Sequence, residues 1–100
     1  KLAQQGVFSS RDLARCSDGE LVWVAGQATV VQSPPTAKGF WFLTLEDEFG
    51  MINVIIRPDV AARFRRVWRG SRLLAVWGQV QRQGSVVNVL AQRPWQLGAG

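Results

Sequence analysis

Apolar and polar residues alternate along much of this chain, and the alternation predicts strands. Residues 21–32, LVWVAGQATVVQ, are rich in β-branched and aromatic residues, and Gly26 in their middle predicts a bend or bulge. Residues 33–39 contain two prolines and predict a loop. The alternation resumes in residues 40–46 and, after the turn sequence DEFG, in residues 51–57. The first half of the chain therefore predicts three successive strands.

One segment follows the period of a helix instead. Within residues 58–70, four apolar side chains recur at positions i, i+4, i+7 and i+8 and form one stripe: Val60, Phe64, Val67 and Trp68. Pro58 suits the first turn of a helix, and Gly70 suits its end. We expect one helix here, directly after the third strand.

Two further strands complete the pattern. Residues 72–81 and 85–92 flank the sequence RQGS, which predicts a tight hairpin with Gly84 in the turn. Five strands with one helix between the third and the fourth close most simply as an all-β barrel with the helix over one end, which is the OB-fold order. The first strand then lies beside the fourth and the third beside the fifth, with Phe64 and Val67 buried under the helix. Another small β-barrel that carries a helix is the alternative.

Residues 1–20 predict a short helical lead-in to this barrel. In SSRDLARC, Ser9 or Ser10 suits the N-cap, Asp12 suits the first turn, and Leu13 is the expected apolar anchor. We therefore divide the chain into a lead-in (residues 1–20), an OB-fold domain (21–93) and a C-terminal tail (94–100). Because the chain does not begin with methionine, we expect it to be a piece of a longer protein.

Composition limits the chemistry that this chain offers. It contains no histidine and a single cysteine, Cys16, so neither a disulfide nor a histidine-based nucleophile pair can form within it. It contains no apolar run near the roughly 20 residues of a membrane span, and we expect no signal peptide, because its first residues are polar. The acidic residues 46–48 fall in a predicted turn, which explains them better than a metal site does. We expect a non-catalytic, cytoplasmic domain without a cofactor or metal.

Strand parity places the aromatic residues of the second strand on two faces. Successive side chains of a strand point to opposite faces. The odd-numbered residues therefore point into the barrel (Trp41, Leu43 and Leu45), whereas Phe40 and Phe42 point outward. Outward aromatic rings can stack on nucleic-acid bases, because every base has a π-face. The alternative is that the rings pack under a neighbouring domain or under the N-terminal segment.

A net charge of +5, carried mostly by arginine, favours a polyanionic partner. On the third strand Asn53 and Arg57 also point outward, next to the two phenylalanines. Lys38 and Arg82 lie in the two loops with which this fold grips a strand. We interpret the arginines of the helix as a solvated face. The predicted nucleic-acid-binding residues are Lys38, Phe40, Phe42, Asn53, Arg57 and Arg82.

Two tryptophans predict a different surface. By parity Trp23 and Trp77 point outward, and they become cross-strand neighbours if the first and fourth strands pair. Two adjacent outward indoles form an apolar patch, which is typical of a contact surface. We expect a protein partner, a second copy of the chain, or residues 1–16 to cover them.

Three segments carry a family resemblance. VAGQATVVQ, TAKGFWFLTLEDEFGMINVII and FRRVWRGSRLLAVWGQVQRQGSVVNVLAQR resemble the OB domain of bacterial C-family DNA polymerases, the polymerase III alpha subunits, and especially the error-prone paralogue. The resemblance covers residues 5–93, and TAKG followed by FLTLEDEFG is its most specific part. Trp23, Trp77 and Asn88 depart from it, since polar or basic residues are expected at the first two positions and histidine is common at the third.

The resemblance implies a role in DNA replication and repair by translesion synthesis after DNA damage. It implies a single-stranded DNA-binding module that holds template near a nucleotidyltransferase site, whose catalytic carboxylates lie elsewhere in the full protein. The alternative is an adaptor that docks other polymerase or translesion-synthesis proteins. FLTLED followed by GMIN also resembles the anticodon-binding OB domains of some aminoacyl-tRNA synthetases, which implies base stacking by Phe42 and base-edge reading by Asn53.

Overall fold

The computed structural model describes residues 6–98, and within them six strands and three short α-helices follow one another. The helices are α1 (Ser10–Leu13), α2 (Pro58–Arg63) and α3 (Arg65–Gly70), and one turn of 3-10 helix spans Pro35–Ala37. The strands are β1 (Val7–Phe8), β2 (Leu21–Gln32), β3 (Trp41–Asp47), β4 (Gly50–Ile56), β5 (Leu73–Gln83) and β6 (Val86–Gln96).

The sheet closes on itself because β2 pairs with two strands. The strand order is β1-β2-β3-β4-β6-β5, and an additional β2–β5 pairing completes the barrel. β2 pairs with β5 up to Gln27 and with β3 from Gln27 onward. The change of partner follows directly after Gly26, where an added Cβ would lie only 2.7 Å from the carbonyl oxygen of Glu46. The five-stranded barrel and its predicted strand neighbours are confirmed.

The interior of the barrel follows the predicted parity. On β3, Trp41, Leu43 and Leu45 are buried, and they alternate with outward residues. The inward residues of β2, β4 and β5 are buried in the same way, and they join one core: Val22, Val24, Ile52, Val54, Ile56, Leu74 and Val76. The hairpin between β5 and β6 turns through Gly84 with a φ of 64°, as its sequence predicted.

The predicted helical segment over residues 58–70 is present, but it is not continuous. The segment breaks at Phe64, whose φ of −116° and ψ of 29° separate α2 from α3. Phe64 and Val67, which we expected to be buried, pack against the core but remain half-buried. Trp68 is fully buried instead, and its Nε1 donates to the carbonyl oxygen of Val60 at 3.1 Å. All four residues of the apolar stripe therefore still face the core, and its largest side chain, Trp68, is the one that is fully buried.

The lead-in forms a capped helix, α1, and packs onto the barrel through that helix and through β1. Ser9 caps α1 in a reciprocal pair with Asp12, as predicted: the Asp12 amide donates to Ser9 Oγ at 3.0 Å, and the Ser9 amide donates to Asp12 Oδ2 at 2.9 Å. Leu13 is buried in the core, as expected. β1 adds to the sheet in parallel with β2. At the other end, β6 runs through Gln96, so the first residues of the predicted tail are strand residues.

None of the helices within residues 6–98 combines the length and the apolar character that crossing a bilayer requires.

Candidate nucleic-acid interface

The outer side of β3 and β4 brings an aromatic ring and an amide together. Phe42 lies opposite Ile55, and Thr44 lies opposite Asn53, so Phe42 and Asn53 are diagonal neighbours on one face. Phe42 is 38% exposed, a large fraction for a phenylalanine. Phe40 precedes β3, its backbone amide donates to the carbonyl oxygen of Ala37, and it is half-buried. The two predicted phenylalanines therefore share one neighbourhood, and Phe42 is the more accessible.

Flanking strands extend this face with polar side chains. Gln32 of β2 lies opposite Phe42, and Asn88 of β6 lies beside Asn53 in the parallel β4–β6 pair. We call the outward residues Gln32, Phe42, Thr44, Asn53 and Asn88 the Phe42 face. Asn88 was not among the predicted site residues, because the predicted pairing of the third and fifth strands carried no register; the structure supplies it. Two adjacent amides supply both donors and acceptors for base edges.

Two cations lie at one edge of the Phe42 face. Lys38 is exposed and adopts the left-handed conformation, with a φ of 54° and a ψ of 42°. An added Cβ at the next residue, Gly39, would lie 3.1 Å from Pro58 Cβ, so the loop touches the first turn of α2. Arg57 immediately precedes that turn and is also exposed. The loop contact therefore brings the backbones that carry Lys38 and Arg57 to the same side of the barrel.

The structure gives Arg82 a role within the fold rather than on this face. Its guanidinium donates to three carbonyl oxygens at the end of the lead-in helix: those of Leu13 at 3.2 Å, Ala14 at 2.6 Å and Cys16 at 3.0 Å. Its backbone amide donates to Asp18. Arg82 shares the parity of the buried Val80, which explains why it points toward the lead-in. We therefore leave Arg82 out of the nucleic-acid surface.

A second aromatic surface lies on β2, β5 and β6. Trp23 and Trp77 are directly opposite each other, as predicted, with ring centroids 5.6 Å apart and planes at 47°. Both indoles are half-buried; Val7 of the lead-in lies beside Trp23, and Arg93 lies beside Trp77. Trp95, which sequence reasoning had assigned to the tail, lies opposite Ala75 on the same side and is 57% exposed. We call Trp23, Trp77, Arg93 and Trp95 the tryptophan face.

The acidic turn between β3 and β4 is structural. Asp47 Oδ1 accepts the backbone amides of Phe49 at 2.9 Å and Gly50 at 3.0 Å, and both of its oxygens accept from Ser10 at 2.6 Å. Burial works to raise the pKa of Asp47, but these hydrogen bonds outweigh it and hold the pKa below its usual value. Among residues 6–98 no three acidic, histidine or cysteine side chains are grouped to hold a metal ion. The predicted turn role of Asp47 is confirmed.

The single cysteine faces the interior. Cys16 is buried in the core cluster. Burial, together with the charges of Glu20 and Asp12, raises the pKa of the Cys16 thiol. A protonated thiol is a weak nucleophile.

Comparison with curated proteins agrees with the resemblance seen in the sequence. The chain is 44% identical over 91 residues to an error-prone DNA polymerase of Bdellovibrio bacteriovorus, and the alignment covers 91% of this chain and 9% of that protein. It is 47% identical over 100 residues to an error-prone DNA polymerase of an Azoarcus species, and that alignment covers 95% of this chain and 9% of that protein. The chain thus spans about a tenth of the length of the curated relatives it matches.

Solved structures and family comparison define the fold. The asparaginyl-tRNA synthetase of Pyrococcus horikoshii aligns with a TM-score of 0.74 at 18% identity, over 93% of this chain and 23% of that one. At that identity the likeness concerns the fold alone. Residues 22–93 match the family described as OB-fold nucleic acid binding domain, which is most of the chain. The chain therefore belongs to the family of OB-fold nucleic acid binding domains.

Proposed function

We propose that this chain is the single-strand-binding module of an error-prone DNA polymerase and that it holds template near the polymerase active site in the cytoplasm. Two findings support the proposal: membership in a nucleic-acid-binding family, and relatives named error-prone DNA polymerase. Because the chain spans about a tenth of those relatives, we assign nucleotide transfer to parts of the polymerase outside these 100 residues.

The observation that carries the proposal is the composition of the Phe42 face. An accessible ring, neighbouring amides and a cationic edge are the parts that a single-strand site requires. One base stacks on the ring of Phe42, which β3 holds in place through its pairing with β2 and β4. Asn53 and Asn88 meet the edge of that base or of the next one. Lys38 and Arg57 neutralise phosphates of the backbone.

This arrangement favours single strands over duplex DNA. A ring can stack only on a base whose face is free, and the bases of a duplex are already stacked on each other. Stacking and phosphate contacts read little sequence, since every base has a π-face and every nucleotide a phosphate. A module that follows a damaged template benefits from tolerance of this kind, because a lesion changes the base and leaves the backbone.

A titration of the 100-residue chain with labelled single-stranded DNA at several salt concentrations tests the proposal. Each phosphate contact on a single strand contributes a slope of about −0.7 to the plot of log affinity against log salt. We expect Lys38→Ala/Arg57→Ala to make the slope about 1.4 units shallower than that of the parent chain. Arg15→Ala is the control, since Arg15 is exposed on the lead-in. No binding by the parent chain, or equal slopes for parent and double variant, would contradict the proposal.

The tryptophan face supports a second candidate function, the docking of a partner protein of the polymerase. Its specific support is the exposed apolar surface around the indole pair, where Leu73 is 48% and Trp95 is 57% exposed. Exposed aromatic clusters of this size are typical of protein contacts. The two candidates use different faces, so variants on one face leave the other intact.

A further inference from the structure

The helical segment beside the Phe42 face carries a concentrated positive charge. Residues 57–72 contain six arginines and one aspartate, a net charge of +5 that equals the net charge of the whole chain. Asp59 is the only carboxylate residue of the chain after Glu48. A local excess of positive charge of this kind attracts anions.

Two of these arginines are held against the barrel. The guanidinium carbon of Arg69 lies 4.8 Å from the ring centroid of Trp41, and that of Arg65 lies 5.9 Å from it. These distances are those of cation–π contacts. Arg65 and Arg69 are four residues apart on α3 and therefore lie on the same side of that helix.

Trp41 links these arginines to the Phe42 face. It is the first residue of β3, between Phe40 and Phe42 in the chain, and it lies opposite Ile56, the residue before Arg57. The side chain of Trp41 points inward at the end of the barrel, so its ring meets α3 while its neighbours in the chain turn outward. Arg65 and Arg69 of α3 therefore lie at the edge of the barrel next to the Phe42 face.

We propose that Arg65 and Arg69 bind backbone phosphates of single-stranded DNA after it leaves the Phe42 face, so that the strand crosses the edge of the barrel onto α3. This inference rests on the proposed function and extends its site. It replaces our interpretation of these arginines as a solvated face.

The contact with Trp41 suits the two arginines to this task. A guanidinium that lies over a ring keeps the N–H groups at its rim free for phosphate oxygens, and its fork matches the geometry of phosphate. Both side chains are exposed. Contact with the ring also limits their rotamers before DNA arrives, which lowers the entropy cost of binding.

The test compares a short and a long oligothymidine, of about 4 and about 12 nucleotides, since OB-folds bind about 4 to 16. The short strand reports on the Phe42 face, and the long strand reports on that face together with α3. The test variant of the 100-residue chain is Arg65→Gln/Arg69→Gln. Arg11→Gln/Arg15→Gln is the matched control, because it removes the same charge from exposed positions on the lead-in.

We expect the Arg65→Gln/Arg69→Gln variant to bind the short strand as the parent does and to lose most of the parent's extra affinity for the long strand. The loss of two phosphate contacts makes the salt slope for the long strand shallower by about 1.4, so a fourfold rise in salt weakens the parent about sevenfold more than the variant. The control variant should keep the long-strand advantage.

Folding is checked separately, because Arg65 and Arg69 also shield Trp41. Thermal unfolding is measured for each variant, and Arg65→Lys/Arg69→Lys keeps both charges while it changes the contact with the ring. This charge-conserving variant should retain the long-strand advantage. A lysine variant that remains folded but shows a salt slope for the long strand as shallow as that of the glutamine variant would overturn the inference, because lysine keeps the charge that phosphate contacts require.

Two further results separate this inference from the proposed function. Suppose that the parent binds both strands and that the glutamine variant matches the charge control on both. The α3 extension is then wrong, and the Phe42 face stands. Suppose instead that the parent binds neither strand. The proposed function then fails, and the extension fails with it.

Discussion

The Phe42 face and the tryptophan face lie on one barrel and obey the same strand parity, yet they expose different chemistry. The Phe42 face combines one accessible ring with the amides of Asn53 and Asn88 and has two cations at its edge. The tryptophan face has two indoles in contact with each other, the exposed Trp95, and one cation, Arg93.

The difference separates two uses of aromatic residues. A ring that stacks on a base needs a free face and polar neighbours, whereas indoles that contact each other have already used part of their surface. A ring beside amides and cations therefore indicates nucleic acid, and rings that contact each other indicate a protein contact. Variants on each face, and at positions off both faces, can break or sharpen this distinction.

The largest expected effect follows from Phe42→Ala. Loss of one stacked base costs about 1–3 kcal/mol of single-strand affinity, which is roughly a 5- to 150-fold rise in Kd. Thermal stability should change little, because the ring lies outside the core. Fluorescence anisotropy with labelled oligothymidine measures the affinity, and Trp77→Ala is the control on the other face. If Trp77→Ala weakens binding more than Phe42→Ala does, the assignment of the two faces is reversed.

Arg82→Ala should lower the free energy of unfolding by about 1–3 kcal/mol, because the carbonyl oxygens of Leu13, Ala14 and Cys16 lose a charged donor. Single-strand affinity should stay within about twofold of the parent, as expected for a residue off both faces. Urea unfolding measures the first quantity, with Arg15→Ala as the exposed control. An unchanged stability with a loss of DNA affinity would return Arg82 to the binding surface.

The contact between the two indoles should appear as a coupling energy. A double-mutant cycle of Trp23→Ala and Trp77→Ala should give about 0.5–1.5 kcal/mol, the range for tilted aromatic pairs. Urea unfolding of the parent, both single variants and the double variant supplies the four values. A coupling near zero would mean that the indoles are independent in solution and free for other contacts.

The smallest expected effect concerns acid stability. The pKa of Asp47 is lower in the folded chain than in the unfolded chain, so its stabilising contribution is present above the unfolded pKa of about 3.9 and is lost as pH falls through the folded value. Asp47→Asn should therefore flatten the loss of stability on acidification, whereas Glu48→Gln at the neighbouring turn position should not. Melting temperatures measured from about pH 6 down to about pH 2.5 show the difference. Equal acid sensitivity in the parent and in Asp47→Asn would contradict this role.

The alternation of apolar and polar residues, together with the turn residues, was sufficient to predict most of the barrel. Parity assigned Leu43, Leu45 and Trp41 to the interior and Phe42 to the surface, since a strand has a fixed side-chain period of two. Ser9 was predicted from its capping chemistry, one of the few local signals that involve only neighbouring residues.

Features that depend on tertiary packing were missed. Periodicity shows an apolar stripe in residues 58–70, but it does not show that Trp68 fills the core and that the helix breaks at Phe64. β6 extends beyond its predicted end and includes Pro94, which has no amide to donate. Its pairing with β4 ends at Leu90, so beyond that residue the register joins β6 to β5 alone and a proline is accommodated.

The sequence already contained an indication that the Arg82 side chain points inward, although we predicted a surface role for it. Its parity matches the buried Val80, which predicts an inward side chain, whereas its place in the loop between β5 and β6 favoured a surface role. The contacts of Arg65 and Arg69 with Trp41 carry no comparable sequence signal, because they join residues that lie more than 20 positions apart.

The most direct test of the central claim is a chemical-shift map of the 100-residue chain, recorded by NMR while a short oligothymidine is added. We expect the amide signals of Phe42 and Asn53 and the side-chain amide of Asn88 to move most, whereas the indole N–H signals of Trp23 and Trp77 stay in place. Shifts centred on those two indole signals, with the Phe42 signals unchanged, would contradict it.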